Sequence, residues 1–308
     1  MRRRTTLEAE GRWLPYVLLA PVAVCELLVH VLPMLLGLAL SLHKIDQYTL
    51  RNWTGAPANG LDNYRRALGP GAPIGADLWT AVGVTLAFTV LVVGLSCAIG
   101  LFAAIMLSVP FRGREIVRVL FIVPFALPAF VTSLGWRFLF ERDDGAVNHL
   151  LVDNLHLTAH RPFWLVGGHA FWAEVLVTVW RLWPFAFLML TAALTTVPRE
   201  QYEAAAINGA RSWAQFRFVT LPTIRPLGLL VVAVLTLWTF NEFTVPWVLF
   251  GAAPPASASL VSTLVYREAF GTLDVGVAAA TNVASAVILV LIGYLLVRAR
   301  RRTAVVAR

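Results

Sequence analysis

The sequence predicts an all-α, polytopic integral membrane protein with six transmembrane helices. The 308-residue chain is 58% hydrophobic and only 14% charged, whereas soluble domains are about 25% charged. Its mean hydropathy is +0.73, and its apolar residues are gathered into long uninterrupted runs. A run of about 20 apolar residues crosses the hydrocarbon core of a bilayer. The composition therefore excludes an ordinary soluble domain.

Six apolar runs are long enough to be transmembrane helices. In chain order they cover about residues 14–42, 78–109, 116–139, 170–194, 227–250 and 275–297. Six crossings place both chain ends on one side of the membrane.

The first run follows Arg2, Arg3 and Arg4 and therefore imitates a secretory signal peptide. The apolar region of such a peptide is about 7 to 15 residues long, but this run continues to Leu42. We therefore predict a retained first helix.

Prolines lie inside the third, fourth and fifth runs, at Pro124, Pro128, Pro184 and Pro246. Each proline removes a helix hydrogen bond and permits a kink. We expect bends in these spans, which both a static bundle and a moving one tolerate.

The fourth and fifth runs also carry ionisable groups, which are costly inside a bilayer and usually face a cavity or a partner. At about 1.5 Å of rise per residue, Arg181 and Glu242 lie at comparable depth. Residues at three- and four-residue steps share a helix face. The fourth run has Glu174, Thr178, Arg181, Leu182 and Phe185 on such a face, and the fifth has Leu235, Trp238, Thr239, Glu242 and Pro246.

The last run begins with the small-residue stretch 276–285, which permits close contact with a neighbouring helix.

Basic residues indicate the orientation. One set of loops and ends holds sixteen Lys and Arg side chains and the other set eight, and the cytoplasmic side is the richer one. Both termini and the loop 199–226 are therefore predicted to be cytoplasmic. The net charge of +8 then reflects topology and attraction to anionic lipid, not nucleic-acid binding.

The predicted organisation is a single transmembrane domain, 14–300, between two short tails. The tails are a cytoplasmic N-terminal segment, 1–13, and a cytoplasmic C-terminal segment, 301–308.

The segment 202–226, YEAAAINGARSWAQFRFVTLPTIRP, is a polar, amphipathic island between apolar runs. Glu203, Ala204 and Ala205 are typical of a helix start, and Gly209 stands where a helix must end or bend. Ser212 is a candidate N-cap for a second short helix, which Leu221 and Pro222 are expected to end. Two helices at a bend suit the docking of a partner protein. The alternative is an amphipathic helix lying on the lipid surface.

This spacing resembles the EAA loop of bacterial ABC importer permeases, with Glu-Ala-Ala at 203–205, Gly209, and Leu-Pro at 221–222. The resemblance extends over about residues 14–300 and is to the maltose-type, carbohydrate-uptake branch. Its further carriers are Gly-Leu-Asp-Asn-Tyr at 60–64, Pro124, Pro128, and Phe240, Asn241 and Phe243. Two departures are the segment 251–255, Gly-Ala-Ala-Pro-Pro, and the acid Glu242, at a position that is often an amide.

The resemblance implies a permease subunit in the bacterial plasma (inner) membrane that imports a sugar. The implied partners are a second permease, either another copy or a paralogue, two ATP-binding cassette ATPase subunits, and an extracytoplasmic solute-binding protein. ATP and Mg would bind to the ATPase subunits. Glu203 would make an ionic contact with the ATPase, and Gly209 would form the turn.

Catalysis by the chain itself is not predicted. A phosphate-binding P-loop needs a lysine, and the only lysine, Lys44, falls in a predicted outer loop. The histidines are too scattered for an acid–base set. The sequence has no CxxC motif or His/Cys cluster that would indicate a metal site.

The resemblance places the sugar-contacting positions of a maltose permease on seven residues of the fourth and fifth runs, to which we add Arg181. Trp238 and Phe185 would stack on a sugar ring, and the polar members would bond its hydroxyls. In the alternative interpretation, Arg181 and Glu242 form an ion pair that only locks two helices together. The predicted passage residues are Thr178, Arg181, Leu182, Phe185, Leu235, Trp238, Thr239 and Glu242.

Other functions stay open. An ABC permease for a non-sugar or phosphorylated solute, such as a glycerol phosphodiester, would use Arg181 to bind an anion. A secondary transporter should show an internal repeat with discontinuous helices, and the sequence shows no such repeat. A membrane-embedded enzyme would need a clustered reactive set.

Overall fold

A computed structural model describes residues 4–69 and 71–306. All regular elements in these ranges are helical, and a single β-bridge pairs His43 with Ala58. The α-helices before the fourth span are α1 (Arg4–Glu26), α2 (Leu32–Ser41), α3 (Asp62–Leu68), α4 (Pro73–Met106), α5 (Arg114–Ala126), α6 (Ala129–Leu139) and α7 (Ala146–Asn148). The others are α8 (Gly168–Leu194), α9 (Arg199–Ile207), α10 (Ser212–Gln215), α11 (Leu221–Phe240), α12 (Thr244–Phe250), α13 (Val261–Tyr266) and α14 (Val275–Val306).

The predicted polytopic, all-α fold is confirmed. Among the described residues, five helical segments are long and apolar enough to cross a membrane, and there are six spans if the bent pair α5 and α6 counts as one. The helices of the first and last spans extend into the predicted tails 1–13 and 301–308. Residues 1–3 and 307–308 of those tails lie outside the described residues.

The fourth span, α8, is the centre of the bundle. It packs along α4 and also contacts α5, α11 and α12. Phe88 and Val92 of α4, Phe187 of α8 and Leu235 of α11 are completely buried in this core. Gly100 lets the two long helices approach closely, because a Cβ there would lie 2.7 Å from the backbone nitrogen of Phe187. The core thus holds α8 against three other spans.

The third span is sharply bent. The sequence predicts a span with kinks, but α5 and α6 meet at 93°. Leu127 has extended backbone angles, as expected of a residue that precedes proline, and Pro128 is the N-cap of α6. The bend turns α6 so that it packs against α12.

The fifth span is also interrupted. A π-turn, Phe216–Thr220, connects α10 to α11, and the chain leaves helical geometry at 241–243 before α12 begins. The predicted run 227–250 is therefore two helices, and it starts earlier than predicted.

The first span is anchored at its C-terminal end. The side-chain amide of Asn63 donates hydrogen bonds to the carbonyls of Ser41 and His43, both at 2.9 Å. The hydroxyls of Ser41 and Tyr64 are 2.7 Å apart. These contacts give the motif 60–64 a structural role: its turn, with Gly60 at a φ of 55°, fastens the first span to the bundle.

Candidate functional site

An ion pair joins the fourth span to the break in the fifth. The guanidinium of Arg181 on α8 donates to the carboxylate of Glu242, and the two side chains are only 17% and 8% exposed. The other carboxylate oxygen of Glu242 accepts the backbone N–H of Val245 at 3.2 Å. The first N–H groups of a helix lack partners within the helix, and a negative group is favourable there. Glu242 is therefore held by a cation and by the start of α12.

The same break presents a backbone carbonyl to the neighbouring helix α13. The hydroxyl of Ser262 donates to the carbonyl of Glu242 at 2.5 Å. This bond satisfies a backbone group that the interrupted helix would leave open. The break is thus stabilised by side-chain hydrogen bonds from two neighbouring helices, from Arg181 on α8 and from Ser262 on α13.

An open cleft of about 1050 Å³ lies beside the ion pair. Rings of the third and fifth spans line it, and Phe125 stacks on Trp238 with the ring centroids 6.3 Å apart. The ring of Phe185 on α8 contacts Trp238, with the centroids 4.7 Å apart. Its lining residues are His30, Phe125, Ala129, Arg181, Leu182, Leu237, Trp238, Asn241, Glu242, Phe243 and Thr244. The cleft combines apolar ring faces with paired charges.

The predicted passage residues separate into two groups. Arg181, Leu182, Trp238 and Glu242 line the cleft, and Phe185 contacts Trp238. By contrast, Thr178, Leu235 and Thr239 are completely buried. The hydroxyl of Thr239 donates to the carbonyl of Leu235 at 2.7 Å. The helical spacing correctly places these three residues on the predicted faces of α8 and α11, but the packing of α11 against α8 and α4 buries their side chains.

Seven of the eleven lining residues are absent from the prediction, and three of these seven are His30, Phe125 and Asn241. They come from the first span, from α5 just before its bend, and from the break in the fifth span. Phe125 stands between Pro124 and Pro128, so the proline pair was the available signal. No signal in the sequence connects His30 to this region.

The polar segment 199–226, which we call the elbow, forms two helices with a turn between them. Gly209 has a φ of 80°, where a glycine is favoured. The N–H groups of Gly209 and Ala210 donate to the carbonyls of Ala206 and Ala205, both at 2.9 Å. This pattern is a Schellman motif, which closes the end of a helix. The turn at Gly209 is therefore well defined.

Three details of the predicted elbow are wrong. The helix α9 begins at Arg199, so Glu203 stands in its middle and not at its start. Ser212 is the first residue of α10, and the N-cap is Arg211, which makes no capping bond.

Leu221 and Pro222 do not end the second helix. The N–H of Leu221 bonds to the carbonyl of Phe216, five residues back. Proline would deny one carbonyl its donor in a regular helix, and the wider turn before it accommodates this loss. The elbow therefore continues directly into α11.

The surface of the elbow combines the motif residues with exposed apolar side chains. Glu203, Ala204, Gly209 and Pro222 are exposed, and Ala205 and Leu221 are half-buried. Ile207, Trp213 and Phe218 are 88%, 71% and 76% exposed. Large apolar patches on a protein surface mark interaction sites.

No group of three His, Cys, Asp or Glu residues that could hold a metal ion occurs in the described part of the chain.

Comparison with known proteins identifies relatives over most of the chain. Residues 96–304 match the family "Binding-protein-dependent transport system inner membrane component". The inner membrane ABC transporter permease protein YcjO of Escherichia coli (strain K12) is 35% identical over 226 residues, 73% of each chain. The trehalose/maltose transport system permease protein MalF of Thermococcus litoralis is 28% identical over 272 residues, 88% of each chain.

A solved structure shares the fold. The chain superposes with a TM-score of 0.77 and 20% identity on a chain from a bacterial ABC transporter involved in the import of the acidic polysaccharide alginate. The alignment covers 97% of this chain and 99% of the other.

Proposed function

Because this chain belongs to the family of inner membrane components of binding-protein-dependent transport systems, we propose that its solute is a neutral sugar, delivered by an extracytoplasmic binding protein. The chain is the permease subunit of an ABC importer, and ATP hydrolysis is the task of a separate chain. Phe185, Trp238, Arg181 and Glu242 are the residues that we assign to the solute passage.

The cleft beside the ion pair supports this assignment. Its volume, about 1050 Å³, is at the upper end of the range of small-molecule sites. The ring face of Trp238 suits the apolar face of a sugar, because aromatic rings offer large contact areas with specific geometry. Arg181 and Glu242 offer donors and acceptors, while their charges cancel. Such a site favours a hydroxylated solute without net charge.

The second candidate is an anionic or phosphorylated solute, and Arg181 is the observation that favours it. A guanidinium matches a phosphate in geometry and charge. Here, however, Glu242 already pairs with it, so an anion would have to displace a buried carboxylate. The neutral sugar is the better candidate for this reason.

The elbow is the segment that we assign to the ATPase subunits. Its apolar residues Ile207, Trp213 and Phe218 are exposed, and the closed turn at Gly209 gives the two helices a fixed angle. Movement of a docked ATPase would pass through the π-turn into α11, whose far end leads into the break that holds Glu242. The assembly would consist of this chain, a second homologous permease and two ATPases that bind ATP and Mg.

Reconstitution tests the proposal. The permease, its partner subunits and the binding protein are placed in proteoliposomes, and ATP-dependent uptake is measured for labelled maltose, trehalose and glycerol 3-phosphate. We expect saturable uptake of a neutral sugar. Uptake of only the anion would support the second candidate, and uptake without ATP would contradict both.

A further inference from the structure

Glu174 on α8 is a buried carboxylate that makes no side-chain hydrogen bond to any residue that the structure describes. Its side chain is completely enclosed, and neither carboxylate oxygen has a hydrogen-bond partner among the described residues. A buried charge is costly unless it is paired. In this conformation, therefore, no described residue donates a hydrogen bond that would stabilise the carboxylate of Glu174.

Two neighbours on the same helix face also have open hydrogen-bonding capacity. The buried hydroxyl of Thr178 and the buried Nε of Arg181 have no hydrogen-bond partner in the described part of the chain. Glu174, Thr178 and Arg181 are spaced by four and three residues, so they follow one another along the helix. Long side chains on a helix lean towards its N-terminus, which for Arg181 is the direction of Thr178 and Glu174.

Glu242 connects this row to the cleft. Its carboxylate accepts a hydrogen bond from Arg181, and Arg181 lies about two helical turns from Glu174 on the same face of α8, so a guanidinium that leaves Glu242 can turn along its own helix towards Glu174. Glu242 also keeps the N–H of Val245 when Arg181 departs. Losing the guanidinium therefore leaves Glu242 with a partner, but would leave Arg181 with none unless Glu174 receives it.

We propose that Glu174 is the alternate carboxylate of Arg181. In the absence of solute the guanidinium bonds to Glu242. When a solute hydroxyl takes the oxygen of Glu242, the guanidinium turns towards Glu174, with Thr178 between them. Glu174 is thus a positioning residue that acts through Arg181. This role in transport rests on the proposed function, but the exchange of partners does not.

A double-mutant cycle tests the exchange without any transport assay. Glu174→Gln, Glu242→Gln and the double variant are purified, and their thermal unfolding is compared. In each single variant Arg181 retains one carboxylate, so we expect both to assemble. The double variant leaves a buried arginine unpaired, so its Tm should fall by about 10 °C more than the sum of the single changes.

The matched control is Thr191→Val, which removes another buried hydroxyl of α8 that has no partner among the described residues. It should combine additively with Glu242→Gln, as independent sites do. Additive behaviour of Glu174→Gln with Glu242→Gln would overturn the proposal. Failure of either single variant to assemble would overturn it as well.

Uptake kinetics then test the role in transport. Glu174→Gln should lower the maximal uptake rate about tenfold, because the state with Arg181 away from Glu242 loses its stabilising partner. The KM should change little, and Glu174→Asp should restore part of the rate. An unchanged maximal rate, or a changed KM alone, would contradict this role. If the wild-type assembly moves no solute, the proposed function fails and the unfolding cycle still decides the exchange.

Discussion

Glu242 is held in an apolar span by groups from three directions. Arg181 approaches from α8, the N–H of Val245 from α12, and the hydroxyl of Ser262 bonds to its backbone carbonyl. The sequence predicts that Arg181 and Glu242 share a depth, because helix rise fixes position along the axis. The sequence does not predict the break at 241–243 that frees the N–H of Val245, because neither a glycine nor a proline stands there.

Removing Arg181 alone should lower the free energy of unfolding more than removing both charges of the pair. Arg181→Met leaves the buried carboxylate of Glu242 without its cation, and we expect a loss of about 3 kcal/mol in the free energy of unfolding. The double variant Arg181→Met with Glu242→Gln should recover most of it. Chemical denaturation in detergent measures both. A double variant that is less stable than Arg181→Met would contradict the pairing.

Asp153 makes the loop between α6 and α8 sensitive to acid. His149 and Arg161 bond to its carboxylate at 2.7 and 2.8 Å, and these contacts hold the pKa of Asp153 below its ordinary value of 3.8. A carboxylate with a lowered pKa stabilises the fold above its ordinary pKa and loses that effect as pH falls through the lowered value. Backbone amides near 149–161 should therefore lose hydrogen-exchange protection only below about pH 4.

The matched variant is Asp153→Asn. It should show the weaker protection already at pH 6, with no further change on acidification. Loss of protection in the wild type between pH 5 and 7 would argue against Asp153 as the titrating group.

At the scale of elements, the sequence predicts the spans but not their bends. Pro128 indicates a kink in the third span, yet the angle of 93° depends on what α6 packs against, and propensity has no access to that. Pro222 indicates a helix end, but the π-turn before it carries the helix through. The same reason limits the site: Thr178 and Thr239 lie on the predicted faces, and tertiary packing buries both.

Two glycines of α4 should respond to alanine with opposite signs. Ala in a helix interior is worth about 0.5–1 kcal/mol relative to Gly, and at Gly94 a Cβ meets nothing within 4 Å. At Gly100 the Cβ would lie 2.8 Å from the Cβ of Ala186, and overpacking costs about 1–3 kcal/mol. Gly94→Ala should raise the Tm and Gly100→Ala should lower it. Equal shifts would contradict the close packing of α4 on α8.

At the scale of the whole molecule, the basic residues predict the orientation of the protein in the membrane. Because Arg is unevenly distributed between the two sides, we predict that the elbow faces the cytoplasm. Single cysteines in a background without Cys25 and Cys97 test this. Ser212→Cys in the elbow should react with an impermeant maleimide only in inside-out vesicles, and Thr158→Cys in the outer loop only in intact cells. The reverse labelling pattern would show that the elbow lies on the opposite side of the membrane, where a cytoplasmic ATPase could not bind it.

The central claim is that a separate ATPase drives this bundle through the elbow. Its most direct test measures ATP hydrolysis and sugar uptake together in one proteoliposome preparation, for the wild type and for Glu203→Lys with Gly209→Val. Valine cannot easily adopt the φ of 80° at Gly209, and the lysine reverses the motif charge. Gly60→Val is the control, because Gly60 has a φ of 55° but lies outside the elbow. We predict that the elbow variant no longer binds the ATPase and therefore loses both ATP hydrolysis and sugar uptake in the proteoliposomes, while the control keeps the ATP hydrolysis. Normal ATP hydrolysis and normal uptake in the elbow variant would contradict the account.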